Sequence, residues 1–292
     1  MKKFLSLPLC LGILLCIPHP TFAESGDVIE PIEIDLEKPL SESVPSELLY
    51  LYWNMNESSG VEVANQAATG PDYNGLLYPG GFSAPEFGPS RSQEFGNAVW
   101  LQGEEKLDAN TDANPHIKWS GEGHLDALNL TQTSFTAGLW VKFNALTGAG
   151  ERIRLINRGR TAVQDYWDYT LSRVQSNNRY IWVLDFSIGT QRGTSERVRA
   201  ILPADILPDL WYHFAFSLEY KENEGSEIRF FLNGELLNTE MLPLTISPPT
   251  SLDQQLTVGE RATSSYHSRL NAWIDEVFIA RGLHDFTPAT PY

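Results

Sequence analysis

Cysteine is nearly absent from this sequence of 292 residues. Its two cysteines, Cys10 and Cys16, both lie close to the amino terminus, and no other cysteine follows them. If the amino terminus is removed on export, the mature chain can form no disulfide, although small exported domains often depend on them. The body of the chain, of about 245 residues, is large enough to bury a stable apolar core without such crosslinks.

Positive charge is also scarce. The sequence has 21 lysines and arginines against 37 aspartates and glutamates, which gives a formal net charge of −16 at pH 7. A chain with this charge has no overall attraction to the phosphates of DNA or RNA, or to an anionic membrane surface. We therefore expect no nucleic-acid partner, and we interpret the acidity as a source of solubility.

The sequence has one long apolar run. This run, from Phe4 to Ile17, follows Met1-Lys2-Lys3 and precedes Thr21-Phe22-Ala23, which is the pattern of a secretory signal peptide. It is too short to span a bilayer as a helix of the mature protein. We expect cleavage after Ala23, no membrane insertion afterwards, and a bacterial protein in the periplasm or outside the cell.

The rest of the chain divides into two parts. Residues 24–47 are rich in glutamate, proline and serine and lack a sustained apolar pattern, which predicts a flexible acidic leader after the signal peptide of residues 1–23. Residues 48–292 are predicted to form a single domain, because no repeat of 20 to 50 residues divides them.

Helical periodicity is absent from this domain. Apolar residues alternate with a period of two in Phe135–Phe143 and Tyr212–Tyr220, as they do in strands with one buried face. The dipeptide Asn233-Gly234 provides the two residues of positive φ that a type I′ hairpin turn needs. These patterns predict an all-β fold in which antiparallel strands form a sandwich.

Five segments, in order along the chain, resemble the strands of a known family. The most informative is Trp211–Thr239, in which two apolar strands flank a polar break and the second runs into Asn233-Gly234. The other four are Leu49–Gly60, Phe95–Gly103, Ser134–Phe143 and Ala272–Ala280. Together they resemble the laminin-G-like domains of the concanavalin A-like lectin/glucanase superfamily. The resemblance implies an antiparallel two-sheet jelly roll.

The resemblance also implies a possible Ca²⁺ site, because acidic loop residues hold this ion in many laminin-G-like domains. The candidate ligands are Asn65 and Asp72 in the first loop, with Asn74 beside them, and Asp275 and Glu276 in the closing strand. Calcium needs six to eight oxygen ligands. Neighbouring residues of a strand point to opposite faces, so Asp275 and Glu276 reach one site only if a bulge intervenes. The alternative is that both acids make hydrogen bonds at a strand edge.

One motif points to catalysis. The residues Glu33-Ile-Asp-Leu-Glu37 match the catalytic signature of retaining β-glucanases in the same superfamily, with Glu33 as nucleophile and Glu37 as acid/base. In that family the motif lies on a central strand, whereas here it lies close to the amino terminus between Pro31 and Pro39. We therefore interpret the match as a coincidence. A glycoside hydrolase or polysaccharide lyase is the alternative hypothesis.

Two features favour recognition of a ligand instead. Residues 151–200 contain nine arginines, five acids and no lysine, and arginine forks suit the carboxylate or sulfate groups of an acidic polysaccharide. The alternative is that these arginines pair with acids of the same chain.

Flat aromatic side chains in polar settings are candidate platforms for sugar rings. The residues selected as ligand-binding candidates are Arg158, Arg160, Trp119, Tyr166, Trp167 and Tyr266.

The sequence therefore predicts an exported, non-catalytic binding domain. Its partner is expected to be a glycan or an extracellular protein, bound through loops at one rim of the jelly roll with Ca²⁺ ordering them. A structural or adhesion protein is a third hypothesis, since one fold serves all three classes.

Overall fold

The computed structural model describes residues 31–79, 84–103, 115–119, 128, 130, 132–146, 152–159, 167–190, 194–222, 224–242, 246, 255–260 and 270–290. One short helix, α1, covers Leu40–Ser43, and 3₁₀ turns cover Ser46–Leu48, Pro71–Tyr73 and Gln93–Phe95. The strands are β1 Glu33–Ile34, β2 Leu49–Trp53, β3 Glu62–Val63, β4 Gly75–Tyr78, β5 Glu86–Pro89, β6 Asn97–Gln102, β7 His116–Trp119, β8 Phe135–Phe143, β9 Arg152–Arg158, β10 Trp167–Ser176, β11 Arg179–Gly189, β12 Ser195–Ile201, β13 Trp211–Glu219, β14 Ser226–Leu232, β15 Glu235–Leu242, β16 Leu256–Val258, β17 Asn271–Arg281 and β18 Asp285–Phe286.

The strands form two large antiparallel sheets, as the sequence predicted. Sheet I has the strand order β12-β11-β10-β9-β16-β7-β4-β3. Sheet II has the order β15-β14-β13-β8-β17-β6-β5, and β2 pairs with the second half of β17. Strands β9 to β12 and β13 to β15 pair with their neighbours in sequence, whereas pairs such as β9 with β16 and β8 with β17 join strands that are distant in sequence. This arrangement is a jelly-roll sandwich.

The main core lies between the two sheets. On β8 the inward residues Phe135, Leu139 and Phe143 are fully buried in it, which confirms the alternation seen in the sequence. Strand β10 follows the same rule: Trp167 and Tyr169 point into the core, and Asp168 points to the outer face of sheet I. At about 25 cal/mol per Å² of apolar surface, burial in this core stabilises the described part of the chain, which contains no cysteine.

A second apolar cluster lies on the outer face of sheet II. There Ile34, Leu36, Leu40 and Val44 pack against outward residues of sheet II, which include Trp140. Strand β1 pairs in parallel with β18, in the register Glu33 with Asp285. The prediction of a flexible leader is wrong for residues 31–47, because their apolar side chains cover this face and belong to the folded domain.

The hairpin between β14 and β15 turns at Asn233 and Gly234, whose φ angles are 50° and 81°. The predicted pair of positive-φ residues at this turn is thus confirmed. Among the described residues, no helix is long and apolar enough to cross a membrane.

Candidate functional site

A row of polar side chains crosses the outer face of sheet I. One residue from each of six neighbouring strands takes part, and each faces the next directly in the strand register. From the edge inward, the row consists of Arg197, Ser187, Asp168, Asn157, Thr257 and Lys118. The chain neighbours of these residues point to the opposite face of the sheet, and most of them lie in the apolar core, so the strand alternation makes the outer face polar. The centre of the row is buried, whereas Arg197 is exposed.

Four arginines, which we name the arginine patch, share this face: Arg152 and Arg154 on β9, and Arg197 and Arg199 on β12. Arg152 donates from Nη2 to Asp168 at 2.9 Å and from Nε to Thr170 at 3.3 Å. Arg154 Nε lies 3.9 Å from the same Asp168 oxygen. Buried acceptors therefore fix the position of Arg152, and Arg154 is itself buried beside Asp168.

The β12 arginines are held in the same way and are more accessible. Arg199 Nε donates to Asp185 at 2.7 Å, and Arg197 Nε donates to the hydroxyl of Ser187 at 3.3 Å. Asp185 and Ser187 are buried, but the Arg199 side chain is 42% exposed. Each of these two guanidinium groups donates one hydrogen bond to the protein from its Nε, and its other N–H donors face solvent. This arrangement can bind carboxylate or sulfate groups through forked hydrogen bonds.

An aromatic pair lies toward the far end of the same face. The rings of Tyr78 on β4 and His116 on β7 are stacked, with centroids 5.1 Å apart and planes within 6°. Lys118 places its ammonium group 5.3 Å from the Tyr78 centroid. Tyr78 is 38% exposed, so one end of the sheet offers an aromatic surface next to a positive charge.

Of the six ligand-binding residues selected from the sequence, the three that the structure describes are buried. Trp167 is fully buried in the core, and Arg158 is also fully buried. Trp119 lies in β7 rather than in a loop, is 3% exposed, and donates from its indole to the Asp72 carbonyl at 2.7 Å. The structure therefore does not place these three side chains on an exposed surface. Arg160, Tyr166 and Tyr266 lie outside the described residues.

Of the proposed calcium ligands in the first loop, Asn65 serves a structural role. Asn65 accepts from the backbone N–H groups of Tyr52 at 2.9 Å and Ala67 at 3.3 Å, and its amide donates to Thr69 and Gly70. Asp72 is exposed in a separate 3₁₀ turn. Within the described part of the chain, no three acidic, histidine or cysteine residues are grouped to hold a metal.

Asp275 and Glu276 do reach one site, because a bulge intervenes as the sequence argument required. The register of β17 against β8 shifts after Asp275, and Glu276 has a φ of 46°. Both carboxylates contact Arg91, at 3.0 Å and 2.6 Å. Their cation is therefore a buried guanidinium, and this donor set does not fit Ca²⁺.

The Arg91 cluster fastens the amino-terminal segment to sheet II. Glu276 accepts from the Tyr52 hydroxyl and from the Leu40 backbone N–H, each at 2.8 Å. The Arg91 guanidinium lies 4.2 Å from the Trp140 ring centroid, and the His213 ring packs against the same tryptophan at 5.3 Å between ring centroids. Burial, together with the neighbouring Glu276, raises the pKa of Asp275 well above its ordinary value. The cluster is a buried support for the fold.

The glutamates of the catalytic-like motif do not form a catalytic pair. Strand β1 ends at Ile34, and the chain then turns as Asp35 accepts from the Glu37 N–H at 3.1 Å. Glu33 and Glu37 are both exposed, while Ile34 and Leu36 between them are buried in the outer cluster. The motif therefore lacks the single strand face that the glucanase arrangement requires.

Several functional candidates were missed at the sequence level. Arg197 and Arg199 were counted among the nine arginines but not selected, although the alternation of Ser195–Ile201 puts both on one face. Tyr78 had no local signal, because its exposure depends on its pairing with His116 in another strand.

Comparisons with known proteins agree with this architecture. A family model described as the concanavalin A-like lectin/glucanases superfamily matches residues 114–282. A search of curated proteins returned no match.

Solved structures with a similar fold include three structures of botulinum neurotoxin binding domains. The receptor-binding domain of the C/D mosaic serotype has a TM-score of 0.53 and 12% identity, over 82% of this chain and 49% of that chain. The binding domain of neurotoxin DC in complex with SialylT has a TM-score of 0.52 and 14% identity, over 82% and 49%. The same domain in complex with rat synaptotagmin II has a TM-score of 0.52 and 13% identity, over 82% and 49%. The chain thus spans about half the length of these structures, and at this identity the likeness shows the fold alone.

Proposed function

Because the chain belongs to the concanavalin A-like lectin/glucanase superfamily, we propose that it is an exported, non-catalytic binding domain for acidic polysaccharides. The observation that carries the proposal is the arginine patch on the outer face of sheet I. The binding surface is accordingly a sheet face rather than the rim loops expected from the sequence.

Charge distinguishes this face from the rest of the molecule. Among the described residues of this face, the arginine patch and Lys118 supply five cations, against the carboxylates of Asp168, Asp185 and, at the far edge, Glu62, in a chain whose net charge is −16. An acidic polymer repelled by most of the surface would therefore be drawn to this face. A neutral polymer would gain nothing from this distribution of charge.

The arginines are held in place before any ligand arrives. Buried acceptors fix the Nε of Arg197 and Arg199, and Asp168 fixes Arg152. A side chain that is already ordered loses little conformational entropy on binding. Fixed guanidinium groups therefore favour a repeating anion with regular spacing.

The extent of the face suits a chain of several sugars. From β12 to β4 the sheet crosses six strand spacings, which corresponds to ~29 Å. The arginines lie toward one end of that path, and Tyr78 lies toward the other with an exposed ring. Charge contacts at one end and ring stacking at the other would bind one extended glycan. The ligands named for the neurotoxin domains belong to those proteins, so the choice of a glycan rests on this face.

The first experiment measures binding of alginate, polygalacturonate and chondroitin sulfate to the mature protein by calorimetry, with dextran as the neutral comparison. Arg197→Gln is the test variant, because the side chain is exposed and its partner is the neutral Ser187. Arg229→Gln on sheet II is the matched control, since it removes the same charge from an ion pair with the exposed Asp285.

We expect one of the acidic polymers to bind saturably and more weakly as salt is raised, because ionic contacts are screened. Arg197→Gln should weaken binding by about tenfold, and Arg229→Gln should leave it unchanged. Equal effects of the two variants, or equal binding of dextran, would overturn the proposal. Release of new reducing ends from the bound polymer would show an enzyme instead.

A further inference from the structure

Three tryptophans and one lysine form a second row, on the outer face of sheet II. Trp100 on β6 pairs with Trp273 on β17, Trp273 pairs with Lys142 on β8, and Lys142 pairs with Trp211 on β13. We name this set the tryptophan row. It lies on the opposite side of the sandwich from the arginine patch, so it is a separate surface.

The rings of the tryptophan row are ordered by one another. The indoles of Trp100 and Trp273 lie 20° from parallel, with centroids 5.7 Å apart. Lys142 places its ammonium group 5.6 Å from the Trp273 centroid and 5.3 Å from that of Trp211. Trp211 is buried, whereas Trp100 and Trp273 are only half-buried. Two aligned indoles therefore reach solvent where the amino-terminal segment does not cover the sheet.

The position of Trp273 depends on a missing side chain. A Cβ built on Gly88 of β5 would lie 2.5 Å from the outer ring of Trp273. Gly88 pairs with Ala98 of β6, so two small residues lie side by side next to this indole. The small residues Gly88 and Ala98 therefore leave space for the Trp273 ring, which a larger side chain at position 88 would displace.

Amide groups surround the exposed end of the indoles. Asn271 is the strand partner of Gln102, and its side-chain oxygen accepts from the Trp100 indole N–H at 3.1 Å and from Asn144 at 3.4 Å. All three amides are half-buried. Each amide combines a donor and an acceptor, which is the chemistry that recognises sugar hydroxyls.

From these features we propose that the Trp100–Trp273 pair and the adjoining amides of Gln102, Asn144 and Asn271 form a binding site for a neutral oligosaccharide. The apolar C–H face of a pyranose ring stacks on the exposed indole surface, and the amides hydrogen-bond its hydroxyls. Among the described residues, the charged side chains in strand register with the row are Lys142 and, as the partner of Trp100, Glu86. One positive and one negative group give no preference for an acidic ligand. The site is independent of the arginine patch.

The test titrates the mature protein with cellohexaose, laminarihexaose and mannohexaose while tryptophan fluorescence is followed. Trp100→Ala removes one platform ring, Trp100→Phe keeps an aromatic ring, and Asn271→Ala removes the amide. Arg197→Gln is the control on the other sheet. Thermal melts of every variant show whether it is folded.

We expect saturable binding of at least one of these sugars by the unmodified protein. Trp100→Ala and Asn271→Ala should each weaken that binding roughly three- to tenfold, and Trp100→Phe should weaken it less. Arg197→Gln should leave it unchanged, which separates this site from the proposed acidic-glycan site. Failure of all three sugars to bind, or binding indifferent to folded Trp100→Ala and Asn271→Ala variants, would overturn the proposal.

Discussion

Arg91 places Nη2 2.6 Å from a carboxylate oxygen of Glu276, and both side chains are almost completely buried. The same guanidinium contacts Asp275 and stacks over the ring of Phe95, with 3.3 Å between its carbon and the ring centroid. Asp275 and Glu276, which are adjacent in sequence, thus share one cation. Arg91 lies just after β5 and is 184 residues from Asp275 along the chain. This contact joins the amino-terminal segment, the first half of the domain and the closing strand.

Loss of this cation should be costly. We predict that Arg91→Leu lowers the free energy of unfolding by about 3–5 kcal/mol, because two buried carboxylates lose their partner. Urea denaturation measures the change. Arg229→Leu is the control for an exposed pair and should cost less than about 1 kcal/mol. Similar losses in the two variants would contradict the supporting role of the cluster.

His213 should make the fold sensitive to acid. Burial, with a smaller contribution from Arg91, lowers the pKa of His213 from 6.5 to about 3. The unfolded chain binds a proton at this residue below pH 6.5 while the folded chain does not, so stability is lost as the pH falls from 6.5 toward 3. The loss from this residue can reach about 4–5 kcal/mol.

The variant His213→Phe isolates this effect, because phenylalanine keeps a ring against Trp140 and Phe278 but does not titrate. Unfolding free energies of both proteins are measured at several pH values between neutral and pH 4. We expect the variant to gain on the unmodified protein as the pH falls. The raised pKa of Asp275 acts in the opposite direction but is present in both proteins. A difference that does not change with pH would contradict the prediction.

The β14–β15 turn gives a prediction about backbone geometry. Gly234 has a φ of 81°, and a Cβ there would lie 2.1 Å from the Thr287 carbonyl oxygen. Gly234→Ala should therefore destabilise the fold by more than the ~1–2 kcal/mol that a left-handed conformation alone costs. Gly60→Ala is the matched control, since Gly60 has a φ of 107° and no atom within 4 Å of that position. Thermal melts that show equal shifts would argue against the close approach of Thr287.

The amino-terminal segment offers a fourth prediction. Ile34 is 1% exposed in the outer cluster, so Ile34→Ala should cost about 2–5 kcal/mol of unfolding free energy. The neighbouring Glu33 is exposed, and Glu33→Ala should have almost no effect. Chemical denaturation of both variants gives the answer. Equal and negligible effects would restore the view of this segment as a flexible leader.

Local patterns were sufficient for much of the fold. The alternation in β8 and β13 and the Asn233-Gly234 turn follow from the properties of individual residues and their neighbours. The same rule could have placed Trp167 correctly, because Trp167 alternates with Asp168 and Thr170 in the register of a half-buried strand. Its polar neighbours on the outer face made it look exposed.

Distant contacts were not predictable in this way. The segment around Ile34 is acidic and short, and it gains its structure from β18, about 250 residues later, and from the outer face of sheet II. Likewise, the half-exposed pair of Trp100 and Trp273 depends on register between strands far apart in sequence. The arginine patch could not be predicted from local patterns either, since its residues lie on β9 and β12, which are separated by two other strands in sheet I.

The parallel pairing of β1 with β18 has a mechanical consequence. The Ile34 carbonyl accepts from the Thr287 N–H at 2.9 Å, and the Leu36 N–H donates to the Thr287 hydroxyl at 3.1 Å. A pull that draws the two ends of the described domain apart runs along both strands in opposite directions. It loads these bonds in shear, so they must break together rather than one after another. The described domain would therefore resist tension applied through its two ends.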